Sequence, residues 1–147
     1  MQIKTLFLGT LDFSEEAVVF FPQGILGLPH LKRFILCEGE NLAPFRYLVS
    51  TETPEIAFLL IGPQELIPNY DLTLAGEARE LLLFQEGHKL VHYVIVTPSS
   101  DVQKTTVNLM APLVLDAESM RGCQVIQEQS GYPVKHVLFS EEALPSD

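Results

Sequence analysis

The sequence predicts a mainly β fold, namely a small antiparallel β-barrel-like single domain with one short helix. Short segments rich in Val, Ile, Leu, Phe and Thr recur along the chain, a pattern typical of strands. Turns that contain Pro or Gly separate these segments at intervals too short for crossover helices, so neighbouring strands should pair mostly antiparallel. The length of 147 residues is that of one domain, and we expect residues 1–147 to form it.

The predicted strands follow one another with short connections. The N-terminal stretch up to Asp12 is interpreted as a single first strand. Further strands are expected at residues 17–21, 33–37, 45–49, 56–61, 72–75, 89–97, 105–109, 112–116, 123–127 and 134–139. So many short strands need to hide their edges, and closure into a barrel does this.

One helix is predicted over residues 76–84, the sequence GEARELLLF. Good helix formers cluster there, and Glu77 and Glu80 lie near its start, where carboxylates interact favourably with the helix dipole. Residues 140–147, the sequence SEEALPSD, are expected to form a flexible acidic tail, because chain ends of this composition are usually poorly ordered.

Composition limits the class of partner. The chain has 9 basic and 19 acidic residues, a formal net charge of −10. We expect no direct contact with nucleic acid or with an anionic membrane, since such binding depends on Lys and Arg. No apolar run reaches the ~20 residues that a membrane-spanning helix needs, and the N-terminal stretch has no signal-peptide cleavage site. These features favour a cytoplasmic protein whose acidic surface suits a basic protein partner.

The sequence contains no motif that indicates an enzyme, a metal site or a cofactor. Cys37 and Cys123 lack CxxC spacing and are expected to be reduced core residues. His88 and His92 lie in a strand-like segment, where four residues span roughly 13 Å, too far to share one metal ion. A nucleophile elbow and a phosphate-binding loop are both absent from the sequence.

A set of motifs resembles a known family. In chain order they are FPQGILG, PFRYLVS, PNY, TVNLMAPLV and QVI, which begin at residues 21, 44, 68, 106 and 124. Their order and spacing are similar to those of the bacterial flagellar assembly factor family, FliW, over residues 21 to 138. The motif residues expected to have structural roles are Pro22, Gly24, Gly27, Pro44, Phe45, Ser50, Tyr70 and Gln124.

The resemblance implies a β-barrel-like regulator that binds proteins. Its expected partners are CsrA, a small RNA-binding dimer that represses translation of flagellin messages, and flagellin itself. Binding to CsrA would antagonise repression and couple flagellin translation to flagellum assembly. Two alternatives remain open: a flagellin chaperone with no translational role, and a β-barrel that holds a small molecule in its interior.

Candidate partner contacts come from the most specific motif and from acidic clusters. They are Asn108, Leu109, Ala111, Pro112, Glu52, Glu55, Glu141 and Glu142. Two interpretations of Asn108 are open. A polar side chain between apolar neighbours, followed by a proline, either satisfies backbone groups at a bulge or bend or contacts a partner.

Overall fold

We describe the fold from a computed structural model, which describes residues 1–5, 8–38, 42–128 and 130–138. The single α-helix of these residues, α1, spans Gly76–Leu82. The strands are β1 Gln2–Lys4, β2 Thr10–Asp12, β3 Val18–Phe20, β4 Arg33–Cys37, β5 Phe45–Ser50, β6 Ala57–Ile61, β7 Leu90–Thr97, β8 Thr106–Val107, β9 Leu113–Asp116, β10 Arg121–Gln124 and β11 His136–Val137.

Seven of these strands close into a barrel. Around the barrel the order is β3, β4, β5, β6, β7, β9 and β10, and β10 returns to β3. Every pairing is antiparallel except that of β10 with β3, which is parallel and joins Arg121 to Phe20. The predictions of a mainly β barrel and of one short helix are therefore confirmed. Strand β8 pairs with the end of β7, β11 pairs with β8, and β1 with β2 forms a separate two-stranded sheet.

Large apolar side chains fill the interior of the barrel. Phe21, Phe34, Leu48, Leu60 and Leu113 are fully buried in one cluster. The rings of Phe21 and Phe34 meet edge to face with centroids 5.3 Å apart, a favourable geometry for two aromatic rings. A barrel of this size has room for either side chains or one small ligand, and here side chains take that space.

Helix α1 covers one part of the barrel wall. Its buried residues Ala78 and Leu82 pack against Val114 of β9, Cys123 of β10 and Val125, which follows β10. The helix ends at Leu82 because Leu83 adopts a left-handed conformation, with φ of 52°, which no right-handed helix can include. The end lies two residues before the predicted one. Within the described residues, no helix has the length and apolar character needed to cross a membrane.

Two parts of the strand prediction are wrong. The N-terminal stretch forms a hairpin of β1 and β2, because Gly9, with φ of 70°, lets the chain reverse, and Thr5 donates both its N–H and its hydroxyl to the Gly9 carbonyl. Residues 72–75 form no strand. There the backbone N–H of Thr73 donates to the side chain of Gln127, and the backbone N–H of Asp71 donates to the hydroxyl of Tyr132. Side chains therefore supply the acceptors that a neighbouring strand would supply.

Half of the eight motif residues lie in the turns before β4 and β5. Gly24 has φ of 65°, and a Cβ atom there would be 2.7 Å from the Leu28 carbonyl oxygen, so only glycine fits. Gly27 has φ of 90°. Ser50 is buried at the end of β5 and accepts a hydrogen bond from the N–H of Thr53. Of the other motif residues, Pro22 follows β3, and Pro44 precedes β5 with a cis peptide bond and leads into Phe45.

Candidate partner-binding surface

Asn108 holds the bend between β8 and β9. Its Oδ1 accepts hydrogen bonds from the N–H groups of Met110, at 3.1 Å, and Ala111, at 3.2 Å. A short polar side chain that bonds the backbone two and three residues ahead stabilises a turn. The interpretation of Asn108 as a bend residue therefore has a structural basis, while partner contact by its amide stays a prediction.

The other residues of this motif lie inside the molecule. Leu109, Ala111 and Pro112 are buried. Leu109 packs in a cluster with Val94 and Val107. In this conformation their side chains offer no surface to a partner, so the assignment of direct contacts to these three is not supported by their position. These three buried residues support the bend from inside the molecule.

Tyr70 ties the bend to two other segments. Its hydroxyl donates to the Leu109 carbonyl oxygen at 2.6 Å and accepts from Gln127 Nε2 at 3.1 Å. Its ring stacks on Tyr132 with centroids 4.5 Å apart. Burial, together with the neighbouring Tyr132, raises the pKa of Tyr70 to about 12, so the hydroxyl remains a donor at physiological pH. Tyr70 thus connects the bend to residues 127 and 132, and its structural role stays a prediction.

Gln124 joins the bend to the glycine loop. Its Oε1 accepts from the N–H of Leu26 at 2.8 Å, and its Nε2 donates to the Ala111 carbonyl at 3.1 Å. The motifs that begin at residues 21, 68, 106 and 124 therefore meet on one face. The surface that these motifs share lies around residues 124–128. Of these residues, only Gln124 is predicted from the sequence to have a role.

The sequence of this chain is similar to those of known proteins over almost its whole length. A family profile described as "FliW protein" matches residues 2–138. The flagellar assembly factor FliW of Desulfitobacterium hafniense is 37% identical over 142 residues, 96% of this chain and 93% of that protein. That of Clostridium botulinum is 35% identical over 143 residues, 97% of this chain and 100% of that protein. This chain belongs to the FliW family.

A solved structure agrees with this assignment. A crystal structure of the flagellar assembly factor FliW matches with a TM-score of 0.88 and 35% identity, covering 97% of this chain and 99% of that one. The resemblance inferred from the motifs is confirmed. The fold of this chain is therefore that of the FliW barrel.

The acidic candidates occupy different places in this FliW barrel. Glu52 Oε1 accepts the N–H groups of Lys32 and Arg33 at 2.8 and 2.9 Å. These two backbone hydrogen bonds lower the pKa of Glu52, and they fasten the β5–β6 turn to the start of β4. Glu55 is exposed beside it. Glu141 and Glu142 lie outside the described residues, as does the predicted tail over 140–147.

Two exposed apolar residues are absent from the sequence-based candidates. Leu26 is 70% exposed and Ile126 is 49% exposed. A signal for Ile126 is present in the sequence, because alternation along a strand places Cys123 and Val125 on one face and Ile126 on the other. The structure buries the first of these faces under α1. No local pattern indicates that Leu26, in a loop, lies near it.

The histidine and cysteine side chains that could take part in catalysis or metal binding do not form a common site in the described part of this chain. His88 Nδ1 lies 2.7 Å from Asp116 Oδ2, whereas His92 Nε2 lies 2.7 Å from Gln64 Nε2, so the two histidines have separate partners. Burial raises the pKa of the Cys123 thiol to about 11, which keeps it protonated and unreactive. Among the described residues, no three His, Cys, Asp or Glu side chains are arranged to hold a metal ion.

Proposed function

We propose that this chain is a cytoplasmic regulator that binds CsrA and antagonises its repression, and that also binds flagellin. The observation that carries this proposal is membership in the FliW family over almost the whole chain. The relatives have the name flagellar assembly factor, which describes a role in assembly and not a catalysed reaction. The proposed action is binding, without catalysis.

Charge supports a basic partner. The net charge of −10 favours encounter with a protein that is itself basic enough to hold RNA. Nucleic acid and anionic membranes are repelled by the same charge, so the proposed regulator acts on CsrA and has no direct contact with the message.

The packed interior disfavours the small-molecule alternative. Fully buried side chains of five different strand regions fill the barrel, and binding a ligand there would require them to move. Close-packed cores resist such movement. Partner binding therefore belongs to the outer surface.

A regulator that responds to flagellin needs two linked equilibria. Flagellin can release CsrA only if the complex with flagellin has a lower affinity for CsrA. Reciprocity then requires CsrA to weaken flagellin binding by the same factor. Two interfaces of about 800 Å² each fit on one small domain, so release depends on overlap of the two surfaces or on coupling between them.

Titration of flagellin into a preformed complex with CsrA tests the proposal. The complex is followed by size, and released CsrA by repression of a flagellin message in a translation assay. Release with equal reciprocal weakening is the expected result. A chain that binds flagellin but not CsrA is instead a flagellin chaperone, and a chain that binds neither contradicts the proposal.

A further inference from the structure

A surface groove runs along residues 123–128, from the last residues of β10 to the turn that follows it. It consists of three adjoining depressions of about 500, 260 and 230 Å³. Residues 73–81, which include most of α1, form one wall. The loop of residues 23–29 forms the other wall. Hydrogen bonds join both walls to the floor of the groove: the N–H of Thr73 donates to Gln127 Oε1, and the N–H of Leu26 donates to Gln124 Oε1.

The floor of the groove presents an open sheet edge. The N–H groups of Val125 and Gln127 donate to the carbonyls of Pro112 and Met110 at 2.9 and 2.8 Å. Since successive peptide groups of an extended chain point in opposite directions, the N–H and C=O of Ile126 point away from those partners. In the described part of the chain, no backbone group pairs with them. An unpaired edge of this kind can accept an additional strand.

The two faces beside this edge differ in chemistry. Leu26 and Ile126 supply exposed apolar surface on one face. On the opposite face Val125 packs against α1, which carries exposed Glu77. Exposed Glu128 lies in the turn at the far end of the groove, in the depression that Thr73 and Ala75 also line. The lining residues of the three depressions include these two carboxylates and no Lys or Arg.

We propose that this groove binds an extended basic segment of a partner protein, which adds as a strand beside Ile126. Alternate side chains of a strand point to opposite faces. Apolar side chains of the segment pack on Leu26 and Ile126, and Lys or Arg side chains on its other face reach Glu77. A basic side chain at the end of the segment reaches Glu128. This inference rests on the proposed function and deepens it, because it gives a basic partner a defined surface.

Charge also discriminates between possible occupants. Residues 139–147 of this chain have the sequence FSEEALPSD, which contains three carboxylates and no basic side chain. Glu77 and Glu128 repel such a segment, so the occupant we propose belongs to another protein.

Synthetic peptides test the groove directly. The probes are the capped peptide KVKVTVK, its acidic twin EVEVTVE, and KVKVTVK with N-methyl groups along one backbone edge. Amide chemical shifts of Gln124, Ile126 and Glu128 are followed by NMR during titration. The basic peptide is expected to shift all three in a saturable way, with at least tenfold weaker binding by the acidic twin and by the N-methylated peptide. No shift, or equal shifts with all three peptides, overturns the proposal.

Variants of the chain locate the contacts. Glu77→Gln with Glu128→Gln should weaken the basic peptide at least threefold, and Ile126→Ser should do the same. The control pair Glu15→Gln and Glu16→Gln has the same change of charge on exposed residues outside the groove and should bind as the wild type does. Equal loss in the control pair overturns the proposal, as does a marked gain in affinity when residues 139–147 are removed.

The peptide assay is independent of the partner assay. Wild-type chain that binds CsrA but none of the peptides leaves the proposed function intact and overturns the groove. If the chain binds the basic peptide but binds neither CsrA nor flagellin, the proposed function is overturned. The groove is then still supported as a site for a basic segment.

Discussion

At the scale of single residues, Tyr70 connects three segments of the chain through its hydroxyl and its ring. Its hydroxyl is the donor to a buried carbonyl, and Gln127 depends on it as an acceptor. Removal of one partner from a buried hydrogen bond leaves the other group unsatisfied, which costs about 1–3 kcal/mol.

Tyr70→Phe should therefore lower the free energy of unfolding by about 1–3 kcal/mol, measured by urea denaturation. Tyr93→Phe is the matched control. Tyr93 is also mostly buried, but its hydroxyl has no hydrogen-bond partner in the described part of the chain, so this change should alter stability by less than about 0.5 kcal/mol. Equal effects of the two substitutions would show that the hydrogen bonds of Tyr70 contribute nothing specific.

Substitutions of Asn108 can distinguish a structural role of its side chain from a role in partner contact. Asn108→Ala removes the acceptor for two backbone N–H groups and should destabilise the fold by about 1 kcal/mol. Asn108→Asp keeps the acceptor and should retain most of the stability.

Binding of CsrA by folded Asn108→Ala then decides the second role. A loss of about 1–3 kcal/mol in binding free energy, as expected for an amide buried in an interface, supports partner contact. Wild-type affinity of the folded variant means that Asn108 acts only at the bend.

At the scale of elements, close packing constrains strand β10. A Cβ atom on Gly122 would overlap the ring carbons of Phe21, and Phe21 is itself fully buried against Phe34. The ring has no free space into which it can move, so β10 can approach β3 closely only with glycine at this position.

Gly122→Ala should destabilise the barrel by about 1–3 kcal/mol or more, measured as a decrease in the free energy of unfolding. Gly76→Ala is a control of opposite sign. Gly76 begins α1, and an added Cβ there meets no atom within 4 Å, so alanine should stabilise by about 0.5 kcal/mol through helix propensity. A neutral Gly122→Ala would contradict the packing argument.

The turn between β9 and β10 depends on a buried carboxylate. Asp116 accepts hydrogen bonds from the N–H groups of Glu118 and Ser119 and pairs with His88. Burial raises the pKa of Asp116, but the hydrogen bonds from His88, Ser119 and Glu118 outweigh burial, and the net pKa is lowered.

This lowered pKa has a consequence for acid stability. A carboxyl group with a lower pKa in the folded state contributes stability above its unfolded pKa of about 3.9, and the contribution is lost as pH falls through the folded-state pKa. For Asp116→Asn, the free energy of unfolding should therefore decrease less between about pH 5 and pH 2 than for the wild type. Parallel stability curves for the two proteins, measured by urea denaturation at each pH, would disprove this.

At the scale of the whole molecule, the charge of −10 should act on the rate of association. Electrostatic steering raises on-rates and weakens as salt screens the charges. The on-rate for CsrA should fall steeply between about 10 mM and 150 mM salt, with a smaller change in off-rate. Surface plasmon resonance or stopped flow measures both, and Glu55→Lys should flatten the salt dependence. An on-rate that does not change with salt would exclude steering.

The sequence by itself determines the local structure of this chain. Alternating and β-branched segments predict most strands, and β4 has the predicted bounds Arg33–Cys37. The helix formers after Gly76 predict α1, and proline and glycine predict the turn that contains Gly24. These predictions succeed because the backbone preference and the burial pattern of each segment lie within a few neighbouring residues.

Tertiary structure alone decides which segments meet. Gln124 and Leu26 are 98 residues apart in the sequence, and no local pattern pairs them. The parallel contact of β10 with β3 and the loss of the strand predicted at 72–75 have the same origin, since both depend on distant partners for backbone hydrogen bonds. Burial of Leu109 and exposure of Ile126 are likewise properties of the closed barrel. The candidate surface could be predicted only as a set of motifs, because their common face exists only after the chain has folded.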